Sequence, residues 1–188
     1  MDGTKEGEKQ HNEVTVTNDT KTVMGVTCVV IHDVVFVDGE VMEETFDWYS
    51  QDKKGAVWYF GEDSTSYEEG QAPSKEGSWE AGVDGALPGI IMLAEPRVGD
   101  VYRQEYYKGE AEDMAEVVKV SGSVTAPNGT FDKILTTKEW TPLEPDVIEQ
   151  RQYAPGVGIV VEDTPSESEH MELTDIRKGE QVSPEATP

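Results

Sequence analysis

The stretch that decides the fold is VTCVVIHDVVFV, Val26–Val37, which runs into Asp38-Gly39 and then into EVMEETFDWYSQ, Glu40–Gln51. β-Branched residues dominate the first run, and side chains on an extended backbone alternate between two faces. An Asp-Gly pair between two such runs supplies the positive-φ positions of a type I′ turn, so the reading is a long antiparallel hairpin. Working outward, EVTVTND at 13–19 is a half-buried strand before it, and DKKG at 52–55 turns the chain into a further strand over 56–61.

The rest of the chain carries the same punctuation. Residues 62–76 read as a polar hairpin or loop, and 77–99 as Gly- and Pro-rich irregular structure around one short strand. Residues 101–107 and 111–120 form a hairpin about Lys108-Gly109. The second member, AEDMAEVVKV, also fits a helical stripe, but its neighbours favour a strand. Residues 131–140 pair with 148–153 across TPLEPD, 157–162 close the patterned core, and HMELTDI adds an edge strand. The expected fold class is all-β: a large curved antiparallel meander sheet or half-barrel of roughly nine to eleven strands. Three parts are expected: a polar N-terminal segment over 1–12, a single β domain over 13–176, and a disordered tail over 177–188.

The turns also sort the faces. With Asp38-Gly39 as the loop, Val35 faces Met42, Ile31 faces Phe46 and Val29 faces Trp48, and a four-residue DKKG loop sets Trp48 beside Tyr59. That continuous apolar face is the expected main core. The opposite face carries Cys28, Val30, His32, Val34, Phe36, Thr45, Asp47, Tyr49, Trp58 and Phe60. Aromatics mixed with a few convergent polar groups suit a ligand-lining surface, and His32, Asp47, Tyr49, Trp58 and Phe60 are the candidate ligand residues. A sheet covered on both sides by its own curvature gives the same pattern.

Composition removes several function classes. The chain has 188 residues, with 15 Lys and Arg against 39 Asp and Glu, a formal charge of −24. Such a surface repels phosphate backbones and anionic lipid, which argues against nucleic-acid and membrane-surface partners. No apolar run is long enough to span a membrane. No basic-then-apolar leader follows Met1, and MDGTKEGEKQHN reads as a polar segment cut from a longer chain. Cys28 is the single cysteine, so no internal disulfide forms, and its apolar setting suits a small buried hydrophobe.

Reactive constellations are few. His11, His32 and His170 are far apart and form no zinc spacing, and no serine-hydrolase elbow, dinucleotide fingerprint or P-loop is present. Carboxylates are the abundant reactive class. Asp47, Glu62, Asp63, Glu80, Asp84, Glu105, Glu110, Glu112 and Asp113 lie near aromatics or turns. Paired acids across an aromatic cleft would suit a carbohydrate-active hydrolase. Glu110, Glu112 and Asp113 in YKGEAEDMAE supply oxygens for calcium, the one cofactor the sequence suggests, although the spacing departs from an EF-hand loop.

Three segments carry a resemblance: DWYSQDKKGAVWYFGED at 47–63, GSWEAGVDGALPGIIM with GDVYRQEYYKGEAEDMAEV over 77–117, and APNGTFDKILTTKEWTPLEPDVIEQRQYAPGVGIVVE at 126–162. The chain resembles uncharacterised bacterial and archaeal extracellular or lipoprotein-type β-rich proteins. The PNGTF and YAPGVG turns also look like those of envelope proteins built on a large curved antiparallel sheet. The resemblance implies an extracellular or cell-envelope location and no reaction. The expected function is therefore a non-catalytic module that holds a small or apolar ligand, or a partner segment, on a concave sheet face. The alternatives are a hydrolase using paired carboxylates and a calcium-stabilised extracellular module.

Overall fold

Asp38 and Gly39 both adopt positive φ, 49° and 92°, and this turn joins β3 (Val26–Val37) to β4 (Glu40–Gln51) as the Asp-Gly signal requires. The structure, a computed structural model, describes residues 1–67 and 70–179. Before the hairpin come β1 (Asp2–Lys5) and β2 (Glu8–Val23). After it come β5 (Val57–Ser66), β6 (Trp79–Glu80), β7 (Leu87–Met92), β8 (Val101–Arg103), β9 (Glu105–Tyr106) and β10 (Met114–Lys119). A small separate hairpin, β11 (Ser123–Ala126) and β12 (Gly129–Asp132), precedes β13 (Leu135–Trp140), β14 (Glu149–Ala154), β15 (Gly158–Thr164) and β16 (Glu169–Glu172).

The fold is all-β, and its main sheet holds 14 strands in the order β8-β10-β13-β14-β15-β16-β1-β2-β3-β4-β5-β7-β9, with β6 beside β5. That is more strands than the sequence leads one to expect. The surplus comes from places read as polar: residues 1–12 supply β1 and the start of β2, and β5 runs on through Ser66. The 169–172 strand lies inside the sheet, between β15 and β1, and is not an edge. Residues 180–188 of the expected tail lie outside the described residues.

The two ends of the sheet meet in one short segment. β8 pairs with β10, while β9, separated from β8 only by Gln104, pairs with β7. Residues 101–106 therefore bridge the first strand of the path to the last, and the curved sheet is all but closed into a barrel. At the bridge, Gln104 and Glu105 both donate their backbone N–H to the Asp113 carbonyl, at 2.7 and 3.3 Å, which marks a bulge. A Cβ on Gly89 of β7 would sit inside the Gln104 carbonyl group, so the closure needs a residue without a side chain there.

Two further bulges set which side chains face inward. Between Val35 and Phe36 the register with β4 shifts, so that Val35 opposes Glu43 and Ile31 opposes Asp47. The pairings of Val35 with Met42, Ile31 with Phe46 and Val29 with Trp48 are thus each off by one residue. The turn after Gln51 spans five residues, Gln51 opposing Val57, and this places Tyr49, not Trp48, opposite Tyr59. A second shift in β5, at Phe60-Gly61, then sets Asp47 opposite Glu62. A bulge adds a residue to one strand and sharpens its twist, which is how a sheet of long strands acquires strong curvature. The expected single apolar core is consequently divided into three clusters. One surrounds Val23, Cys28, Trp48, Tyr59 and Trp79. One lies under the β11–β12 hairpin with Ile134, Val160 and Leu173. One, around Tyr102, Ala115, Val117 and Leu135, packs on Ile90 and Met92 where the sheet ends meet.

Gly89→Ala should lower the unfolding free energy by about 1–3 kcal/mol, the usual cost of overpacking, read from urea midpoints. Gly179→Ala, with open space around it, is the neutral control. Equal stability of the two variants would show that the close approach does not constrain closure.

Candidate functional site

Directly opposed residues on neighbouring strands share a face, and this identifies the inner wall. Asp33 opposes Thr45, Ile31 opposes Asp47, Asp47 opposes Glu62, and Tyr49 opposes Tyr59. On the far side of the ring, Glu139 opposes Glu149, Thr137 opposes Arg151 and Arg151 opposes Glu162. Asp33 feels the charge of Arg151, and Glu105 those of Asp47, Glu62 and Arg151. Four strands lie between Asp33 on β3 and Arg151 on β14 along the shorter path round the sheet, so that field crosses the interior, whereas only β7 lies between Glu105 on β9 and Glu62 on β5. The lumen of this barrel is lined by carboxyls.

The tightest arrangement is Asp47, Tyr59 and Glu62. The Tyr59 hydroxyl lies 2.5 Å from Asp47 Oδ1 and 2.7 Å from Glu62 Oε2. A phenol has one proton to give. The second contact therefore needs a proton on one of the carboxyls, which then donates to the phenol oxygen. Burial is the main force raising both acids. Asp47 is pushed up to about 6, with Asp33 and Glu43 adding to the rise, and Glu62 to about 7, with Asp47, Glu43 and Asp113 adding; the Tyr59 hydrogen bond opposes both. Burial also holds the Tyr59 hydroxyl well above the ordinary phenol range, so it remains a donor. Tyr49 stacks on Tyr59 with centroids 4.6 Å apart, and Trp79 meets Tyr59 edge-on at 5.4 Å. Trp79 is directly opposite Glu62 across the β5–β6 pair and therefore shares its face.

Opposite stands a knot of charge about Arg151. Its guanidinium reaches Glu139 at 3.0 Å, Glu149 at 2.8 Å and Glu162 at 3.3 Å, so one cation serves acids on three adjacent strands. Glu139, only 4% exposed, also accepts from the Thr137 hydroxyl at 2.5 Å and the Tyr153 hydroxyl at 3.0 Å. Burial works against the Arg151 charge, but Glu162, Glu139 and Glu149 outweigh it and hold the guanidinium firmly protonated. Arg151 nevertheless keeps 26% of its side chain accessible.

The remaining inner acids lack such partners. Burial raises Glu105 well above the carboxylate range, with Asp113, Glu62 and Asp47 adding to the rise. Burial raises Asp113 too, against a hydrogen bond from Thr141 and the charge of Arg151. Asp33 is pushed up to about 6 by burial despite the Asn12 amide that donates to it. Six buried polar atoms find no hydrogen-bond partner among the described residues: Gln10 Oε1, Trp79 Nε1, Tyr102 Oη, Gln104 Nε2, Arg151 Nε and Thr164 Oγ1. Trp79, Tyr102 and Gln104 are no more than 9% exposed.

The residues singled out in the sequence are dispersed by this geometry. Asp47 and Tyr49 lie on the inner wall. His32 lies on the outer face, stacked on Phe46 at 4.6 Å with Nε2 2.8 Å from Glu44. Trp58, opposite Ser50, donates its indole N–H to Asp52 at the β4–β5 turn, and Phe60 is buried in the β5 bulge. Glu110 is exposed, Glu112 accepts the Gly109 N–H at 2.8 Å and so closes its own turn, and Asp113 points to Thr141. These three acids are not gathered around one point. No group of three or more His, Cys, Asp or Glu among the described residues is arranged to hold a metal ion, and no helix there is long and apolar enough to cross a membrane.

Sequence reasoning did not find Tyr59, Glu139, Arg151 and Tyr153 as site residues, and it held Glu62 and Glu105 only as two among many acids. The alternation Arg151-Gln152-Tyr153 was the available signal for one wall. A cleft of about 350 Å³ is lined by Lys21, Trp48, Glu80 and Asp84 together with Glu62 and Trp79 of the inner site. Lys21 lies 3.2 Å over the Trp48 ring and 2.8 Å from Glu80. Comparison with known proteins found no matching family profile, no similar curated protein and no similar solved structure.

Arg151→Met removes the one cation that Glu139, Glu149 and Glu162 share. The expected loss is about 3–5 kcal/mol of stability at pH 8, and a smaller loss at pH 5, where carboxyls can take up protons instead. Denaturant titrations at the two pH values check this, and an equal loss at both would contradict it.

Proposed function

We propose that this protein is a non-catalytic binding module of the extracellular space or cell envelope, and that its barrel interior takes a small polar ligand. The observation that carries the reading is the Asp47–Tyr59–Glu62 arrangement, in which two carboxyls face one hydroxyl beside stacked aromatics. A core has no structural need for such a group. Buried acids whose charged forms are disfavoured weaken a fold, and perturbed acids gathered in a concavity suit a binding site. The ligand suited to this wall is polar, not apolar, because an apolar one would strip the carboxyls of water without replacing its hydrogen bonds. The location rests on the resemblance to extracellular and lipoprotein-type proteins.

One observation favours a second reading, a carbohydrate-active hydrolase. Asp47 and Glu62 are direct cross-strand partners joined through one hydroxyl. Their carboxyls are thus held within roughly the 5 Å spacing used by retaining glycosidases. Turnover of aryl glycosides by the wild type, lost in Glu62→Gln, would support it; no turnover on such substrates would remove it.

Stability tests the binding reading. Glu62 rises from 4.5 to about 7 on folding, so the folded barrel keeps a proton that the unfolded chain gives up. Its effect is absent below about pH 4.5, grows against the fold as pH rises through 7, and reaches on the order of 3 kcal/mol by pH 8. Asp47→Asn with Glu62→Gln should therefore raise the melting temperature at pH 8 by roughly 5 °C or more and change it little at pH 4.5. A fall at pH 8 would mean that the acids hold the barrel together, and the site reading would lose its basis.

A further inference from the structure

We infer that the ligand of the inner wall is a small amine that also carries hydroxyl groups, an amino sugar or amino alcohol, with its ammonium among Asp47, Glu62 and Glu105 and its oxygens at Trp79 and Gln104. This rests on the binding reading above and adds the chemistry of the occupant. Asp47 and Glu62 are cross-strand neighbours on one wall, and Glu105 stands two strands along within range of their charge. All three accept hydrogen bonds, so the occupant must bring donors and, to relieve their repulsion, positive charge. The stacked pair Tyr49–Tyr59 offers an aromatic surface against which an alkylammonium is well placed.

The second requirement comes from groups of the opposite kind. Trp79 is 4% exposed and Gln104 3% exposed, and neither Trp79 Nε1 nor Gln104 Nε2 has a partner among the described residues. Both are donors that need an acceptor atom. Trp79 is on the same face as Glu62. Gln104 precedes Glu105 at the bulge where both residues donate to the Asp113 carbonyl, an irregularity that re-aims side chains at a strand boundary. A simple alkylamine or polyamine would satisfy the acids and leave these two donors orphaned. A neutral polyol would satisfy the donors and leave the acids uncompensated. An anion would be repelled. Only an amine with hydroxyl or ether oxygens meets both demands.

The groups facing the triad are Asp33 and Glu43 from β3 and β4, Tyr49 from β4, Glu105 and Asp113 from either side of the closing bulge, and Arg151 from β14. All but Tyr49 and Arg151 are acids. An ammonium entering among them displaces a proton, and its affinity should rise from pH 6 to pH 8.

N-Methylglucamine is the probe, with sorbitol as the same polyol lacking the amine and butylamine as an amine lacking hydroxyls. Calorimetry at pH 8 should give N-methylglucamine at least tenfold tighter than either comparator and several-fold tighter than at pH 6. Glu62→Gln, which the account expects to fold at least as stably as the wild type, should lose tenfold or more. In amide NMR spectra the Trp79 indole N–H, assigned with Trp79→Phe, should shift with N-methylglucamine and stay still with butylamine. Sorbitol binding as tightly would overturn the amine, and butylamine binding as tightly would overturn the hydroxyl requirement; both outcomes leave the inner-wall binding reading intact. If none of the three probes binds, the inference fails. The reading fails with it only if the Asp47→Asn, Glu62→Gln double variant is also less stable than the wild type at pH 8.

Discussion

The grip of Arg151 on Glu139, Glu149 and Glu162 is the constraint on which the rest of the barrel depends. Three neighbouring strands, β13, β14 and β15, turn carboxylates to the same inner face, and repulsion between such close charges would splay them. One guanidinium with a planar fork of donors can meet all three, where an ammonium would act as a point charge. Thr137 and Tyr153 complete the hydrogen bonding of Glu139, which makes its burial tolerable. One cation shared by three acids eases this wall without neutralising it, since burial still raises Glu149 above its ordinary value. On the opposite wall, Asp47 and Glu62 share only a phenol. There, Asp47 and Glu62 have the Tyr59 phenol and one another, and Glu105 is eased at a distance by the charge of Arg151, so retained protons do the rest. The contrast within one lumen separates acids that hold structure from acids available to a ligand.

Curvature is what brings the walls face to face, and it originates in irregularities of three or four residues. The shift opposite Met42 and the extra residue at Phe60-Gly61 twist β4 and β5, and the double donation to Asp113 lets a two-residue strand, β9, reach β7. The long strand β2 shows the same device at its free end. Among the described residues, nothing pairs its outer edge beyond Asn12, whose carbonyl accepts from the Met1 amine. There the ladder is broken between Val16 and Thr20, next to Asp19 and Lys21. Charge and a break in register are the features that keep an open edge from recruiting another strand.

What could be read in the sequence was local. The β3–β4 hairpin, its Asp38-Gly39 turn, the turn after Gln51 and the strand character of residues 114–119 all follow from alternation and turn chemistry. A bulge has no such signature, since it is one additional residue inside a strand. The one opposite Met42 exchanged the faces of β4, so that Asp47 and Tyr49 were grouped with His32 and parted from Asp33. Glu62 stood in a stretch polar enough to read as loop because the face it occupies is a polar lumen, not an apolar core. Arg151 and Glu105 come together with the triad only through closure, a contact between residues far apart along the chain. Polar residues in strand-forming stretches were the visible trace of a polar interior, but solvent-facing strands leave the same trace.

Difference infrared spectroscopy of the carboxyl C=O stretch tests the central claim most directly, because it counts protonated acids in the folded protein. The account predicts a protonated-carboxyl band that persists to about pH 6–7, well above the range of ordinary Asp and Glu, and that shrinks in Glu62→Gln. A band that has vanished by about pH 5 would mean that the inner acids are ionised like those on any surface, and would contradict a lumen that holds protons in place of a ligand.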